Sequence, residues 1–333
     1  MTRKERTREA INHHDTDFVP YSIDLTIPAN EKLVAYTGDP DYMSKIGSHL
    51  TYCGCGASFE DMGGGYWKDE FGVVWNRSGA DKDIGVVDKY LITEPDVRQF
   101  HPPVIDHAQM REGMLSFLNN TGDLFTIAAI GFSMFERAWT LRGMENLLVD
   151  MVVDPQFVHD FMDAICEYNL SLMDTALELP FDAFYFGDDW GQQRGMIMGP
   201  NHWRTFIKPR MARMYAKAKS AEKFVAQHSC GDIHEVFPDL IEIGLDVYQT
   251  FQPEIYDLRE TKCEFGKDLT FWGGISTQRD LPFVTPDELK RIVKETISVM
   301  GKGGGYIAAP THGVPGDVPP ENIVALVEAF QNQ

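Results

Sequence analysis

Residues 223–243 read KFVAQHSCGDIHEVFPDLIEI, an apolar run that ends in polar residues and leads into a helical pattern. Residues 223–230 predict a strand, Gly231 predicts a turn, and the apolar spacing after it predicts a helix over 233–243. Strand, turn and helix together form one βα unit. Repeated units of this kind require parallel strands joined by right-handed crossovers.

The same alternation recurs from about residue 120 to the end of the chain. Further strands are predicted at 124–130, 182–188, 245–251, 269–275 and 304–310, with helical stretches between them. Residues 18–24 predict a seventh strand, and we expect an eighth within 25–120. No G-x-G-x-x-G turn follows any of these strands, so a dinucleotide-binding fold has no support. The pattern predicts one α/β domain over residues 1–333, a (β/α)8 TIM barrel in which the irregular, glycine-rich region 25–120 forms an insertion or lid over one end.

The composition narrows the class of partner. The 333 residues carry a formal net charge of −20, which argues against nucleic acid or an anionic membrane and disfavours long-range attraction of acidic substrates. No apolar run reaches the length of a membrane span, and the charged opening MTRKERTREAINHHD lacks the apolar segment of a secretory signal, so we expect a cytoplasmic protein. Five cysteines in so large a chain favour free or metal-bound thiols over a disulfide framework.

Polar residues follow several of the predicted strands, where the strands of a barrel open onto a common mouth. His228 and Cys230 are two positions apart on one strand, so their side chains face the same way. Imidazole and thiolate are ligands of zinc, and a catalytic zinc ion takes three protein ligands and keeps one open position. His312, which follows the strand at 304–310, is the natural third ligand. The sequence therefore predicts a metal site of His228, Cys230 and His312.

These residues also have plainer interpretations. A free cysteine is commonly a small buried hydrophobe, so His228 and Cys230 could be core residues at the end of a strand. Cys53 and Cys55 are likewise two apart, but no second pair lies nearby to complete a structural zinc site. A flexible glycine-rich loop is the better interpretation of that second pair.

Candidates for catalysis and substrate binding come from the same strand ends. Asp188 and Asp189 follow one strand and are candidates for acid–base catalysis or substrate positioning, although only one of them can face the mouth and the other would cap the next segment. Asp24, Gln249, Tyr248 and Tyr306 are candidates for substrate binding. For the two tyrosines, packing in the core is the default alternative.

Three stretches carry a resemblance to a known family: HSCG at 228–231, LTFWGGISTQ at 269–278 and GKGGGYIAAPTHGVPGDVPPENIVALVEAF at 301–330. With these motifs the chain resembles the uroporphyrinogen decarboxylase superfamily over most of its length, and most strongly over 182–330. The resemblance implies a (β/α)8 barrel, in agreement with the strand count.

Function divides within that superfamily. The resemblance implies either decarboxylation of the four acetate groups of uroporphyrinogen without metal or cofactor, or methyl transfer between a corrinoid protein and a thiol or other acceptor. The methyltransferases hold zinc with His-x-Cys and a later Cys. His228 and Cys230 match that pattern, whereas His312 stands where those enzymes usually have Cys. The arginine-rich motif of the decarboxylases is absent after the first predicted strand, where YSIDLTIPAN stands at 21–30.

The changed third ligand has a physical consequence. Zinc held by one imidazole and two thiolates is formally neutral, whereas two imidazoles and one thiolate leave one positive charge. The ion would then be a stronger Lewis acid, and a bound substrate thiolate would be a poorer nucleophile. A small methylated substrate is therefore at least as well supported as a coenzyme-like thiol.

We therefore expect a zinc-dependent methyltransferase that moves a methyl group between a small methylated substrate or thiol and a cobamide carried by a corrinoid protein. The alternatives are a cofactor-free decarboxylase of the uroporphyrinogen type, in which Asp24 would accept the pyrrole N–H groups, and a barrel that only binds a small molecule. The superfamily includes dimers, so a homodimer is compatible with the resemblance, but no segment of the sequence predicts an interface.

Overall fold

The computed structural model describes residues 1–79 and 85–333. Its strands are β1 (Leu50–Gly54), β2 (Phe59–Gly63), β3 (Tyr66–Asp69), β4 (Val74–Asn76), β5 (Val86–Lys89), β6 (Phe125–Ile130), β7 (Ala183–Gly187), β8 (Gly191–Gln192), β9 (Gly195–Met196), β10 (Phe224–His228), β11 (Val247–Phe251), β12 (Thr270–Ile275) and β13 (Tyr306–Pro310).

The helices surround these strands. They are α1 (Arg3–Ile11), α2 (Ile27–Thr37), α3 (Tyr42–Lys45), α4 (His107–Leu118), α5 (Phe135–Arg142), α6 (Met144–Val153), α7 (Pro155–Leu177), α8 (Gly199–His202), α9 (Lys208–Ser220), α10 (Phe237–Glu242), α11 (Leu258–Phe265), α12 (Asp280–Phe283), α13 (Pro286–Met300) and α14 (Pro320–Gln331). Two 3₁₀ turns (Val97–Gln99 and His234–Val236) and a π-helical turn (Trp203–Ile207) complete the regular structure.

A curled parallel sheet of seven strands forms the centre of the fold, in the order β1-β6-β7-β10-β11-β12-β13. Strands such as β6, β12 and β13 are buried at every position, because the sheet is covered by helices on one face and filled by side chains on the other. The six strands predicted after residue 120 are all present in this sheet. The strand expected within 25–120 is β1, which pairs with β6.

The predicted strand at 18–24 is where the structure differs. This segment makes two isolated parallel bridges, Tyr21 to Ala308 and Leu25 to Val314, in place of a regular strand. On its other side the His49 N–H donates to the Tyr21 carbonyl at 2.8 Å. Pro20 has no N–H to donate, which limits the ladder that this segment can form. The described sheet therefore has seven regular strands, and residues 21 and 25 contribute isolated bridges beside it.

The long helix α7 shows how local sequence sets the elements. Its start follows the capping rules, since the Asp154 carboxylate accepts the Phe157 N–H at 3.2 Å and Pro155 occupies the first turn. Phe161, Ile165 and other apolar residues at helical spacing are buried against the sheet. Helix α7 is thus one of the helical stretches predicted between the strands.

The region 25–120 combines part of the central sheet with a small separate one. Beyond β1, it contains the antiparallel sheet β2-β3-β4-β5 and the helices α2, α3 and α4. The predicted insertion is therefore irregular only in part. Its residues 80–84 lie outside the described residues.

No helix in the ranges 1–79 and 85–333 combines the length and the apolar character needed to cross a bilayer.

Candidate metal and substrate site

A cavity of about 560 Å³ opens at the carboxyl ends of the central strands. Much of its wall is aromatic, with side chains from β1, β7, β12, α7 and the small antiparallel region: Tyr52, Phe59, Phe71, Phe132, Tyr168, Tyr185 and Trp272. The polar residues Asp24, His228, Gln249 and His312 also line it. This is the end of a parallel α/β sheet at which catalytic residues are expected.

Three of the predicted residues meet at this end of the sheet. The ligand atoms of His228, Cys230 and His312 all lie within 4.8 Å of one another. His228 Nε2 is 3.6 Å from Cys230 Sγ, and the two imidazole rings are 6.1 Å apart between centroids. His228 and Cys230 are half-buried and His312 is exposed. The two histidines line the cavity, whereas Cys230 lines a neighbouring pocket that His312 also borders.

The turn after β10 explains how Cys230 comes beside His228. Gly231 has a φ of +78°, and a Cβ at this position would lie 2.2 Å from the Gly191 carbonyl carbon. Only glycine fits that close approach of two backbones. The Cys230 N–H donates to the Asp189 carboxylate at 2.7 Å, which holds the thiol end of the turn in place.

Gln249 and Asp189 contact the imidazole of His228. Gln249 Oε1 makes a short hydrogen bond with Nδ1, and it also accepts the Tyr185 hydroxyl at 3.2 Å. An amide oxygen accepts hydrogen bonds, so the Nδ1 atom carries the proton and Nε2 is left facing Cys230. Asp189 Oδ1 lies 3.2 Å from Nε2. Gln249 was predicted to bind substrate; it does line the cavity, with its amide oxygen directed at His228 and Tyr185.

The electrostatics of the pair His228 and Asp189 favour charge on both. Burial raises the pKa of Asp189, but the hydrogen bond and the charge of His228 outweigh it and hold that pKa at about 2. Burial lowers the pKa of His228, and Tyr185, Asp189 and Cys230 together raise it well above its usual value. A charged imidazole carries a second proton, on Nε2, and binding of a cation at Nε2 would displace that second proton.

Asp188, predicted together with Asp189 as a catalytic residue, lies outside this site. Its fully buried carboxylate accepts three backbone N–H groups at the start of α5, from Met134, Phe135 and Glu136, and the indole N–H of Trp190. Burial raises the pKa of Asp188 to about 6, against the opposing effect of these hydrogen bonds. Asp188 therefore caps a helix and has no access to the cavity, which corrects the prediction of a catalytic role for it.

Tyr248 and Tyr306 also lie away from the cavity. Tyr248 precedes Gln249 on β11, so strand alternation turns it towards the helices, where its hydroxyl donates to the Ser229 carbonyl at 3.0 Å. The Tyr306 hydroxyl donates to the Gly273 carbonyl at 2.8 Å. Both side chains are fully buried. The core interpretation applies to these two tyrosines, and their predicted contact with substrate is corrected accordingly.

Asp24 lies in the cavity, as predicted for a substrate-binding residue. Its carboxylate is exposed to the cavity, where the Tyr52 side chain lies beside it. Burial raises the pKa of Asp24, and the neighbouring Tyr52 hydroxyl opposes that shift. Among the described residues, no Lys or Arg makes an ion pair with Asp24.

Two residues near the cluster were missed from the sequence. Tyr185 belongs to β7 and points to the same face as Asp189, four positions later, so alternation along that strand could have found it. Glu136 is on α5, where burial and the charges of Asp189 and Asp188 raise its pKa well above the usual value. No local pattern indicates Glu136, since only the approach of α5 to β7 places it there.

Comparison with known proteins places the chain in a family. The family model described as "Uroporphyrinogen decarboxylase (URO-D)" matches residues 79–333, so the chain belongs to the uroporphyrinogen decarboxylase family. A solved structure described as a methyltransferase from Methanosarcina mazei superposes with a TM-score of 0.73 at 18% identity, covering 99% of this chain and 98% of that one. At that identity, the likeness concerns the fold.

Curated relatives lie on both sides of the division within the family. A methylated-thiol–coenzyme M methyltransferase from Methanosarcina mazei is 23% identical over 68% of this chain and 56% of its own length. A methylcobamide:CoM methyltransferase from Methanosarcina barkeri is 29% identical over 40% of this chain and 37% of its own. A uroporphyrinogen decarboxylase from Psychromonas ingrahamii is 22% identical over 53% of this chain and 48% of its own length. The chain thus matches about half of the length of these relatives.

Proposed function

We propose that this protein is a metal-dependent methyltransferase that moves a methyl group between a small methylated substrate or thiol and a corrinoid protein. The observation that carries the proposal is the convergence of His228, Cys230 and His312, whose ligand atoms lie within 4.8 Å of one another. His228 and Cys230 come from the end of β10, whereas His312 comes from the loop after β13 and is remote from them in sequence. Similarity to methyltransferases in the family, one of them named for methylcobamide, supports the reaction class.

The three residues fit zinc. Two imidazoles and one thiolate are borderline-soft ligands of the kind that zinc takes, and three protein ligands leave a fourth position for substrate. Gln249 holds the Nδ1–H of His228, the hydrogen bond that zinc-binding histidines usually make with their other nitrogen. The ion would supply Lewis acidity at the heteroatom that carries the methyl group.

The remaining residues have positioning roles in this proposal. Asp189 holds the Cys230 backbone and faces His228, so it orients two of the three ligands. Asp24 would contact the substrate from the cavity wall. The corrinoid protein would dock at the mouth of the cavity, because the methyl group has to pass directly between the two centres.

Two structural proposals accompany the function. We infer that residues 20–25, bridged to β13 on one side and joined to His49 on the other, close the sheet into an eight-stranded barrel. We also infer that residues 1–333 form one domain. A cytoplasmic location remains a prediction from the sequence.

Elemental analysis of the purified full-length chain tests the metal. We expect about one zinc ion per chain and loss of that zinc in His228→Ala. The matched control is His234→Ala, which removes a half-exposed histidine six residues away that interacts with Glu264 instead. Methyl transfer from a methylated corrinoid protein, followed by the absorption spectrum of the corrinoid, then tests the reaction.

The uroporphyrinogen decarboxylase reaction is the second candidate, favoured by the family match and by Asp24, which could accept pyrrole N–H groups. The cavity weighs against it. Among the described residues that line it, Arg137 is the lone Arg or Lys, and it is already paired with Asp69 and Glu70 at 2.8 and 3.0 Å. Metal-free protein that decarboxylates uroporphyrinogen would overturn the methyltransferase proposal. Zinc without methyl transfer would leave a barrel that only binds a small molecule.

A further inference from the structure

Among the described residues, the wall of the cavity beside the candidate metal site carries two carboxylates, from Asp24 and Glu70, and one guanidinium, from Arg137. Asp24 offers a carboxylate at the cavity surface with a tyrosine hydroxyl beside it, and no described Lys or Arg pairs with it. Arg137 is neutralised by Asp69 and Glu70, and the latter also lines the cavity. An anionic substrate group would therefore find no unpaired Lys or Arg among the described residues of the wall.

The aromatic side chains near Asp24 complete a site for a positive charge. Tyr52 lies beside Asp24 in the cavity wall, and the Tyr185 ring packs edge-on against Trp272 with centroids 6.2 Å apart. Tyr185 in turn lies 6.3 Å from the His228 ring. Faces of Tyr and Trp attract organic cations, most strongly in a desolvated pocket with a carboxylate nearby. The net charge of −20 on the chain also attracts cations over long distances.

We propose that this cavity selects substrates that carry an ammonium group, with Asp24 as the counter-ion and Tyr52, Tyr185 and Trp272 as the aromatic wall. The inference deepens the proposed function: it assigns the methylated substrate to the class of small thioethers, ethers or amines that bear a positive charge. Among its described residues, this wall offers the acidic group of a coenzyme-like acceptor no Lys or Arg apart from the paired Arg137. Neutral substrates of the same shape bind more weakly.

Three probes of similar size and different charge test the selection by isothermal titration. Choline is cationic, 3,3-dimethyl-1-butanol is its neutral isostere, and 2-hydroxyethanesulfonate is anionic. We expect choline to bind about tenfold or more tightly than the neutral probe, and the anion to bind least. Asp24→Asn should remove most of the difference between the cationic and neutral probes.

Variants separate charge from shape. Tyr52 is exposed at 51%, so Tyr52→Phe and Tyr52→Leu leave the core intact. The aromatic variant should keep choline affinity within a few-fold, and the leucine variant should weaken it. Glu112→Gln, on the exposed side of α4, is the matched carboxylate control and should leave every affinity unchanged.

Equal binding of choline and its neutral isostere, or tighter binding of the sulfonate, would overturn the inference. So would choline affinity that is unchanged in Asp24→Asn. Repeating the titrations with chelator-treated and zinc-loaded protein keeps the two proposals apart. Protein that takes up no zinc on loading yet binds choline through Asp24 refutes the metal site alone, whereas zinc-loaded protein that prefers the sulfonate refutes the substrate class alone.

Discussion

At the scale of single residues, the candidate site depends on which atom of His228 is available. Gln249 binds Nδ1 and thereby directs Nε2 towards Cys230. Asp189 fixes the backbone of Cys230 from the end of the neighbouring strand. His312 is presented by the loop after β13 and is the most exposed of the three. Residues next to the cluster therefore control its geometry as much as the ligands themselves.

Gln249→Leu tests this control. Without the amide oxygen, the His228 ring loses its fixed tautomer and orientation, so we expect zinc affinity to fall about tenfold to a hundredfold. Competition with a chelating dye measures the affinity. Gln249→Glu keeps an acceptor and should retain most of it, and Gln278→Leu, an exposed glutamine nearby, should have no effect. A zinc affinity of Gln249→Leu equal to that of the wild type would contradict the role assigned to Gln249.

At the scale of elements, one buried ion-pair cluster fastens the small antiparallel sheet to the main fold. Arg137 on α5 pairs with Asp69 at the end of β3 and with Glu70. Its guanidinium also lies 4.0 Å from the centre of the Phe71 ring. Asp69 accepts the Val73 N–H at 2.9 Å and the Trp75 indole at 3.2 Å, which shapes the turn between β3 and β4. The wall of the cavity on this side thus depends on a contact between two elements.

Arg137→Met should release this sheet. The substitution leaves Asp69 buried without its cation, at a cost of about 3–5 kcal/mol. We expect a lower melting temperature and faster limited proteolysis within residues 56–76. Arg142→Met is the matched control for loss of a buried ion pair. It breaks the other buried arginine pair of α5, with Asp150 at 2.7 Å, and its further contacts are with the carbonyls of residues 92 and 93, outside the probed residues 56–76. Equal proteolysis of that sheet in both variants would contradict the role of Arg137.

At the scale of the whole molecule, residues near both ends of the chain meet along one seam. The segment 20–25 contacts β13 and the loop before β1. His49 is buried in this seam against Tyr21, and its Nε2 lies 3.0 Å from an Arg6 guanidinium nitrogen. A guanidinium only donates, so the imidazole must accept and stay neutral. Burial first, then Arg6 and Arg3, lower the pKa of His49 to about 4.

Acid should therefore loosen the seam. The unfolded chain takes up a proton on His49 below about pH 6.5, whereas the folded chain does so only near pH 4. Folding stability consequently falls as the pH drops between those values, by up to about 3 kcal/mol from this residue.

Urea unfolding of wild type and His49→Gln between pH 7 and pH 4.5 measures this effect. The variant should lose less stability over that interval than the wild type. His14→Gln alters an exposed histidine paired with Glu9 and should follow the wild-type curve. Parallel curves for wild type and His49→Gln would show that the seam is not acid-sensitive through this residue.

The sequence by itself determined the alternation of strands and helices after residue 120, the parallel sheet and the placing of His228 beside Cys230. These follow from local periodicity, since apolar runs, turn residues and a two-residue spacing act over short distances. Tertiary structure alone decided that Asp188 caps α5 while Asp189 contacts His228 and Cys230, that Tyr248 and Tyr306 belong to the core, and that residues 20–25 form bridges where a strand was predicted. It also decided that Glu136 and Arg137 lie near the site. Those outcomes depend on which side of each element faces its neighbours, and contacts between residues remote in the chain set that orientation.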